Sequence, residues 1–356
     1  MSEALAQTCD DFELITQIHW RNLWRKRFSY EEWYGISHPF RIRRLVTRCA
    51  SRNPVSTGTF SEIFANRAVR YLGRCKPDLA ITRCHFAAAE LAGGRIPFIY
   101  ETHSRNEEEI AKRLPQIVKS PMLKGVVTIS ERLRPAYERH GLAAKQLFIL
   151  EDAVDFERWQ NAPGKEVARQ NLDLPDRFTA VYFGHLYQHR GIEDIFAAAL
   201  EMPEVNFLIV GGTPEDVRKR KHEAVGLANV TLTGFVENAF IPQYCAAADC
   251  ILVPYSAHLP QADIMSPLKL FESMATSRPI IASGLPAIRR HLNDKNSILV
   301  LPDSGPSLVG GIKSLRDGTV DGAALAGQAL NDVRPNTWLA RARRMLEIGL
   351  GSRTSS

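Results

Sequence analysis

TAVYFG at residues 179–184, VNFLIVGG at 205–212, NVTLTGF at 229–235, CILVPY at 250–255, PIIASG at 279–284 and SILVLP at 297–302 are short β-branched runs, and each precedes a helix-like segment. Runs this apolar leave a strand no polar face to turn to water, so helices must cover both sides of the sheet. Right-handed crossovers then give a doubly wound parallel sheet. The first half repeats the scheme less cleanly, with FELITQI (12–18), DLAITR (78–83), PFIYETH (97–103), GVVTIS (125–130) and QLFIL (146–150) as strands. The fold class is therefore α/β, with two Rossmann-like doubly wound domains facing a cleft at the carboxyl ends of their strands.

The stretch EDAVDFERWQNAPGKE (151–166) mixes acidic residues with Pro163 and Gly164 and reads as a linker. An N-terminal domain at 1–160, a C-terminal domain at 161–335 and a C-terminal helix with a frayed tail at 336–356 follow. A doubly wound domain normally opens with a strand and a glycine turn at its sheet centre. Here SEALAQTC reads as the first helix and FELITQI as the second strand. The first strand is thus expected to be missing, with the true start upstream of Met1.

At 356 residues and 45% hydrophobic, the chain is too long for one core and too apolar to be disordered. A formal charge of +6 favours an anionic partner without choosing among phosphate, nucleic acid and an acidic membrane. Cys9, Cys49, Cys75, Cys84, Cys245 and Cys250 form no CxxC pair, so neither a zinc site nor a disulfide framework is indicated. No apolar run approaches the ~20 residues of a membrane-spanning helix and no signal pattern opens the chain. The expected location is the cytoplasm, free or peripherally bound to the membrane.

In SPLKLFESMA (266–275), Ser266 and Pro267 suit a helix start, whose free N–H groups and positive dipole end attract a phosphate. Lys269 adds a charge, and Glu272 is a carboxylate able to accept two ribose hydroxyl hydrogens. Read alone, the same residues are an ordinary capped helix with its Lys and Glu in solvent. The turn FGHLYQHRGIEDIF (183–196) changes that balance. Gly184 ends a buried strand there, and Arg190 can hold a diphosphate from the other side.

Taken in order, YFGHLYQHRGIED, FLIVGG, NVTLTGFVENAFIPQYCAAADCILVPYS, SPLKLFESMATSRPIIAS and LPAIRRHL resemble the family 4 (group 1) glycosyltransferases, in a subgroup with an SPLKxFE motif. The resemblance is strongest over 181–301 and thinner in the first half, where IPFIYETHS, VVTIS and ILEDAVDFERW match. It implies the two-domain GT-B fold and retaining transfer from a nucleotide-diphosphate sugar, with no cofactor and no metal. Arg190 and Lys269 would hold the leaving diphosphate and Glu272 the ribose. Gly184, Ser266, Pro267 and Leu268 would complete the donor site, and the base would rest near Gly234, Phe235 and Val236. His103 matches a histidine that faces the transferred sugar.

Two positions depart from the family. Ile264 stands where many members carry a glutamate eight residues before Glu272, which leaves Asp263 as the neighbouring substitute. His185 replaces a frequent arginine. The implied acceptor is a glycan or lipid-linked glycan of cell-surface polysaccharide assembly. Two other readings stay open: a non-catalytic sugar-nucleotide-binding protein and a GT-B-fold sugar-nucleotide epimerase. A plain NAD-binding protein is disfavoured, since no GxGxxG follows a strand.

Between Trp20 and Arg48, aromatic residues (Trp20, Trp24, Phe28, Trp33, Tyr34, Phe40) interleave with Arg and Lys. Such a stretch suits an anionic membrane surface, or equally a solvated face over packed aromatics. No nucleic-acid module accompanies it, so nucleic acid is not an expected partner.

Overall fold

The computed structural model describes residues 1–19, 36–47, 58–103, 107–260 and 262–351. These divide into two compact units. One runs to Glu151 and includes the chain from Trp338 onward, and the other is Asp152–Thr337.

The second unit is built on a six-stranded parallel sheet of β7 (Thr179–Phe183), β8 (Asn206–Val210), β9 (Val230–Gly234), β10 (Cys250–Val253), β11 (Ile280–Ser283) and β12 (Ile298–Val300), in the order β12-β11-β10-β7-β8-β9. Alternate residues divide between two cores. Val181, Phe183, Leu208, Val210, Ile251 and Val253 share one face, and Ala180, Tyr182, Phe207, Ile209 and Leu252 the other. Helices Leu268–Ala275 and Gly322–Val333 bury Leu270, Phe271, Met274, Ala329 and Val333 against the first face. On the second face, helices Ile192–Glu201 and Gly305–Arg316 bury Ile192, Ile195, Leu308 and Ile312. The strand order reverses between β7 and β10, and at such a switch point the following loops diverge and leave a crevice beyond the strand ends.

Two sheets make up the first unit. Strands β3 (Ala80–Thr82), β4 (Phe98–Thr102), β5 (Leu123–Thr128) and β6 (Leu147–Ile149) pair in that order, all parallel. The terminal helix Trp338–Leu350 packs on this sheet through Met345 and Ile348, against Ile99, Val127 and Phe148. FELITQI does form a strand, β1 (Glu13–His19), which pairs with β2 (Arg41–Thr47) in a separate two-stranded parallel sheet. Helix Ser2–Ala6 precedes it and buries Ala4 and Leu5 beside Ala342.

Residues 41–47 of the basic stretch form β2, on which Arg41 and Arg43 remain exposed. Arg41 pairs with Asp11, and Arg43 with Glu13 at 3.3 Å, lying over the Tyr71 ring. Trp20, Trp24, Phe28, Trp33, Tyr34 and Arg48 lie outside the described residues. Among the described residues, no helix is long and apolar enough to cross a membrane.

Candidate donor-binding site

At the carboxyl end of β7 the chain turns at Gly184, whose φ is +125°. A Cβ there would stand 2.9 Å from Lys269 Cε, so glycine is required both for the turn and for the lysine that crosses above it. Two further contacts shape the loop: the Tyr182 hydroxyl donates to the His185 carbonyl at 2.6 Å, and buried Arg220 donates to the Leu186 carbonyl. Glu193 and Glu223, at 2.7 and 2.6 Å, compensate the Arg220 charge. The loop closes at Gly191, with φ +76°, where a Cβ would collide with the Pro254 carbonyl oxygen at 1.7 Å. Helix Ile192–Glu201 begins immediately afterwards.

Helix Leu268–Ala275 differs in detail from the sequence expectation. Pro267 occupies the cap position, and Ser266 lies outside the helix, its hydroxyl accepting from the Asp152 amide at 2.8 Å. Pro267 is itself extended, with ψ 111°, so the first helical residue is Leu268. No side chain caps the first turn, which begins at half-exposed Leu268.

Lys269 does not extend into solvent. Its Nζ is buried, has no hydrogen-bond acceptor, and lies 3.4 Å from the Tyr182 ring centroid and 5.5 Å from that of Tyr255. Burial, reinforced by the Arg190 charge, holds its pKa well below the lysine range, against the opposing pull of Glu272. The Arg190 guanidinium stands 5.1 Å over the other partner ring, Tyr255, and its Nε is likewise buried without an acceptor. One turn beyond Lys269, burial pushes the Glu272 carboxyl up to about 7, even though Arg158 and Lys269 favour its charged form.

Gly184, Arg190, Lys269 and Glu272 are thus gathered at the switch point. Gly234 ends β9 with φ +76°, its carbonyl accepting from Gly211 N at 3.0 Å, and Phe235 follows, 57% exposed. Val236 packs against the core. His185 stacks on Tyr187 at 4.7 Å. Ile264 is fully buried and Asp263 half-buried beside it, so the position of the family glutamate delivers an aliphatic group to the core.

Sequence reasoning missed Tyr182 and Tyr255, the aromatic floor under both cations, and Arg158. A tyrosine at the end of each strand flanking the switch point was the available signal.

His103 lies in the first unit, one residue beyond β4. Its Nε2 meets Glu101 at 2.9 Å, and its Nδ1 accepts from Arg83 Nη2 at 2.8 Å. Arginine can only donate, so the imidazole proton sits on Nε2. Glu101 is buried and also accepts from Arg341 Nη2 at 2.9 Å. Burial opposes its ionisation, yet hydrogen bonding to His103 and the Arg341 charge prevail and bring its pKa down to about 2.

Residues 177–317 match the family model described as glycosyl transferases group 1. A putative teichuronic acid biosynthesis glycosyltransferase, TuaH of Bacillus subtilis, is 28% identical over 136 residues, covering 36% of this chain and 34% of that protein. The matches span between 34% and 45% of the length of the curated relatives. Among solved structures, Anabaena HepE in complex with UDP and glucose superposes with a TM-score of 0.74 at 16% identity, over 98% of this chain and 94% of that one. Sucrose-phosphate synthase from Thermosynechococcus elongatus gives 0.73 at 20% identity, over 98% and 90%. Residues 177–317 accordingly match the group 1 glycosyl transferases, in a chain with the GT-B fold of two Rossmann-like domains.

Proposed function

We propose that this protein is a retaining glycosyltransferase. It takes a nucleotide-diphosphate sugar on its second unit and transfers the sugar, without a metal ion, to a glycan or lipid-linked acceptor of cell-surface polysaccharide assembly. The observation that carries this reading is the pair of buried cationic nitrogens, Lys269 Nζ and Arg190 Nε, neither with an acceptor. Leaving such groups unpaired is costly, and a diphosphate supplies the missing oxygens.

As the glycosidic bond to the diphosphate lengthens, negative charge grows on the leaving phosphate. The two fixed cations stabilise it where it forms. The anion favours the protonated form of Lys269, whose pKa burial holds below the lysine range. Glu272, when ionised, accepts from the ribose hydroxyls, and Phe235 with Gly234 and Val236 forms a backing for the base. Departing phosphate that guides the acceptor to the same face gives retention without an enzymic nucleophile. His103 acts on the sugar from the first unit in this reading.

The test is release of nucleoside diphosphate from UDP-, GDP- and ADP-sugars in the presence of a chelator, with the anomeric configuration of the product read by NMR. Product of the donor's configuration supports the proposal, whereas inverted product or a requirement for divalent metal contradicts it. The buried Ile264 favours a second reading, a sugar-nucleotide-binding protein without turnover. Binding with no release under any condition would establish that instead. Peripheral attachment to the inner face of the membrane through Trp20–Arg48 belongs to the same proposal. It predicts co-sedimentation with anionic but not neutral liposomes, and absence of binding at low salt removes it.

A further inference from the structure

We propose that Arg83 and His103 form an oxyanion-binding site on the first unit, taking a phosphate or carboxylate group of the acceptor. The assignment of the ligand to the acceptor rests on the function proposed above, while the anion site itself does not.

Arg83 and His103 each follow directly on a strand, β3 and β4, and these strands are parallel neighbours with Thr82 opposite Tyr100. Ligands of doubly wound sheets bind at this end. Among the described residues a single buried carboxylate, Glu101, serves both Arg341 and His103. Arg83 is exposed, and among the described residues its hydrogen-bond partner is the neutral Nδ1 of His103. The histidine therefore positions the guanidinium without cancelling its charge, and leaves most of its five N–H donors free. Arg220 is the contrast within the same molecule, since two glutamates and a carbonyl close its guanidinium.

Helix His85–Ala92 starts two residues after Arg83, and its cap residue Cys84 makes no side-chain capping bond, so the positive end of that helix adds to the same field. A guanidinium fork held at one corner fits a tetrahedral phosphate or planar carboxylate through two parallel hydrogen bonds. The neutral imidazole, steadied from behind by Glu101, keeps Arg83 in place as the anion binds.

The experiment is a titration of the full-length chain, labelled with ¹⁵N-histidine, with inorganic phosphate and separately with glucuronate. The His103 ring resonances report on this site, and a Lys269→Ala background removes the donor site as a competing phosphate sink. A saturable shift of His103 Nδ1 that persists in Lys269→Ala and is lost in Arg83→Gln is expected. A response to phosphate alone assigns a phosphorylated acceptor, and one to glucuronate alone a uronate. An unmoved His103 resonance with both anions, or an equal shift in Arg83→Gln, overturns the proposal. Because the readout is binding at the first unit, failure of the transferase reading leaves this outcome interpretable.

Discussion

In the proposed donor site, Lys269 is a buried amine without a hydrogen-bond acceptor. Its pKa is depressed by burial and by Arg190, so a bound diphosphate should raise it again. At pH 8 Glu272, titrating at about 7, is already ionised and does not mask the effect. Nucleoside diphosphate binding is therefore expected to take up a proton and to weaken as pH rises. Calorimetry in two buffers of different ionisation enthalpy checks this, and Lys269→Met should abolish the uptake while lowering turnover about 10²–10³-fold. Glu272 has a folded-state pKa raised from 4.5 to about 7, so its contribution to stability is fully present below 4.5 and is lost as pH rises through 7. Glu272→Gln should consequently gain roughly 1–3 kcal/mol over the parent at pH 8 relative to pH 4.5, read by urea denaturation, while losing donor affinity. Gly184, Lys269 and Glu272 were legible as residues because their spacing implies a turn and a helix start. The burial of Lys269 was not, since it depends on Tyr182 and Tyr255, separated by 73 positions in sequence and joined only when β7 and β10 pair.

Among the elements, the terminal helix Trp338–Leu350 is tied to β4 by the buried pair Arg341–Glu101. Arg341→Met leaves Glu101 without its main counter-charge and should cost roughly 3–5 kcal/mol, whereas the double variant with Glu101→Leu should recover much of it. With a folded pKa near 2, Glu101 contributes stability above pH 4.5 that is lost as pH falls toward 2. Acid titration of stability should therefore be flatter in the double variant than in the parent. The strands of the second unit were readable directly, because each is a β-branched run buried on both faces. Strand β2 was hidden by Arg41, Arg43 and Arg44, which break the apolar run and read as a surface charge cluster. The start of helix Leu268–Ala275 was misplaced because Ser-Pro is a favoured helix start, whereas here Pro267 stays extended and the Ser266 hydroxyl is taken by the Asp152 amide, 114 residues away in sequence.

At the level of the whole molecule, each described hydrophobic core lies within one of the two units. A donor bound at Lys269 and Arg190 should slow hydrogen exchange in β7, β10 and helix Leu268–Ala275. The alternation of strands and helices conveyed two doubly wound domains. The Arg341–Glu101 tie, across 240 residues of sequence, was beyond any local pattern. The donor site is tested most directly by thermal unfolding of the full chain with UDP-, GDP- and ADP-sugars, repeated with Lys269→Ala and Glu272→Ala. A rise in Tm with at least one nucleotide sugar, reduced in both variants, is the predicted result. No rise with any of them, or an undiminished rise in Lys269→Ala, would contradict the assignment.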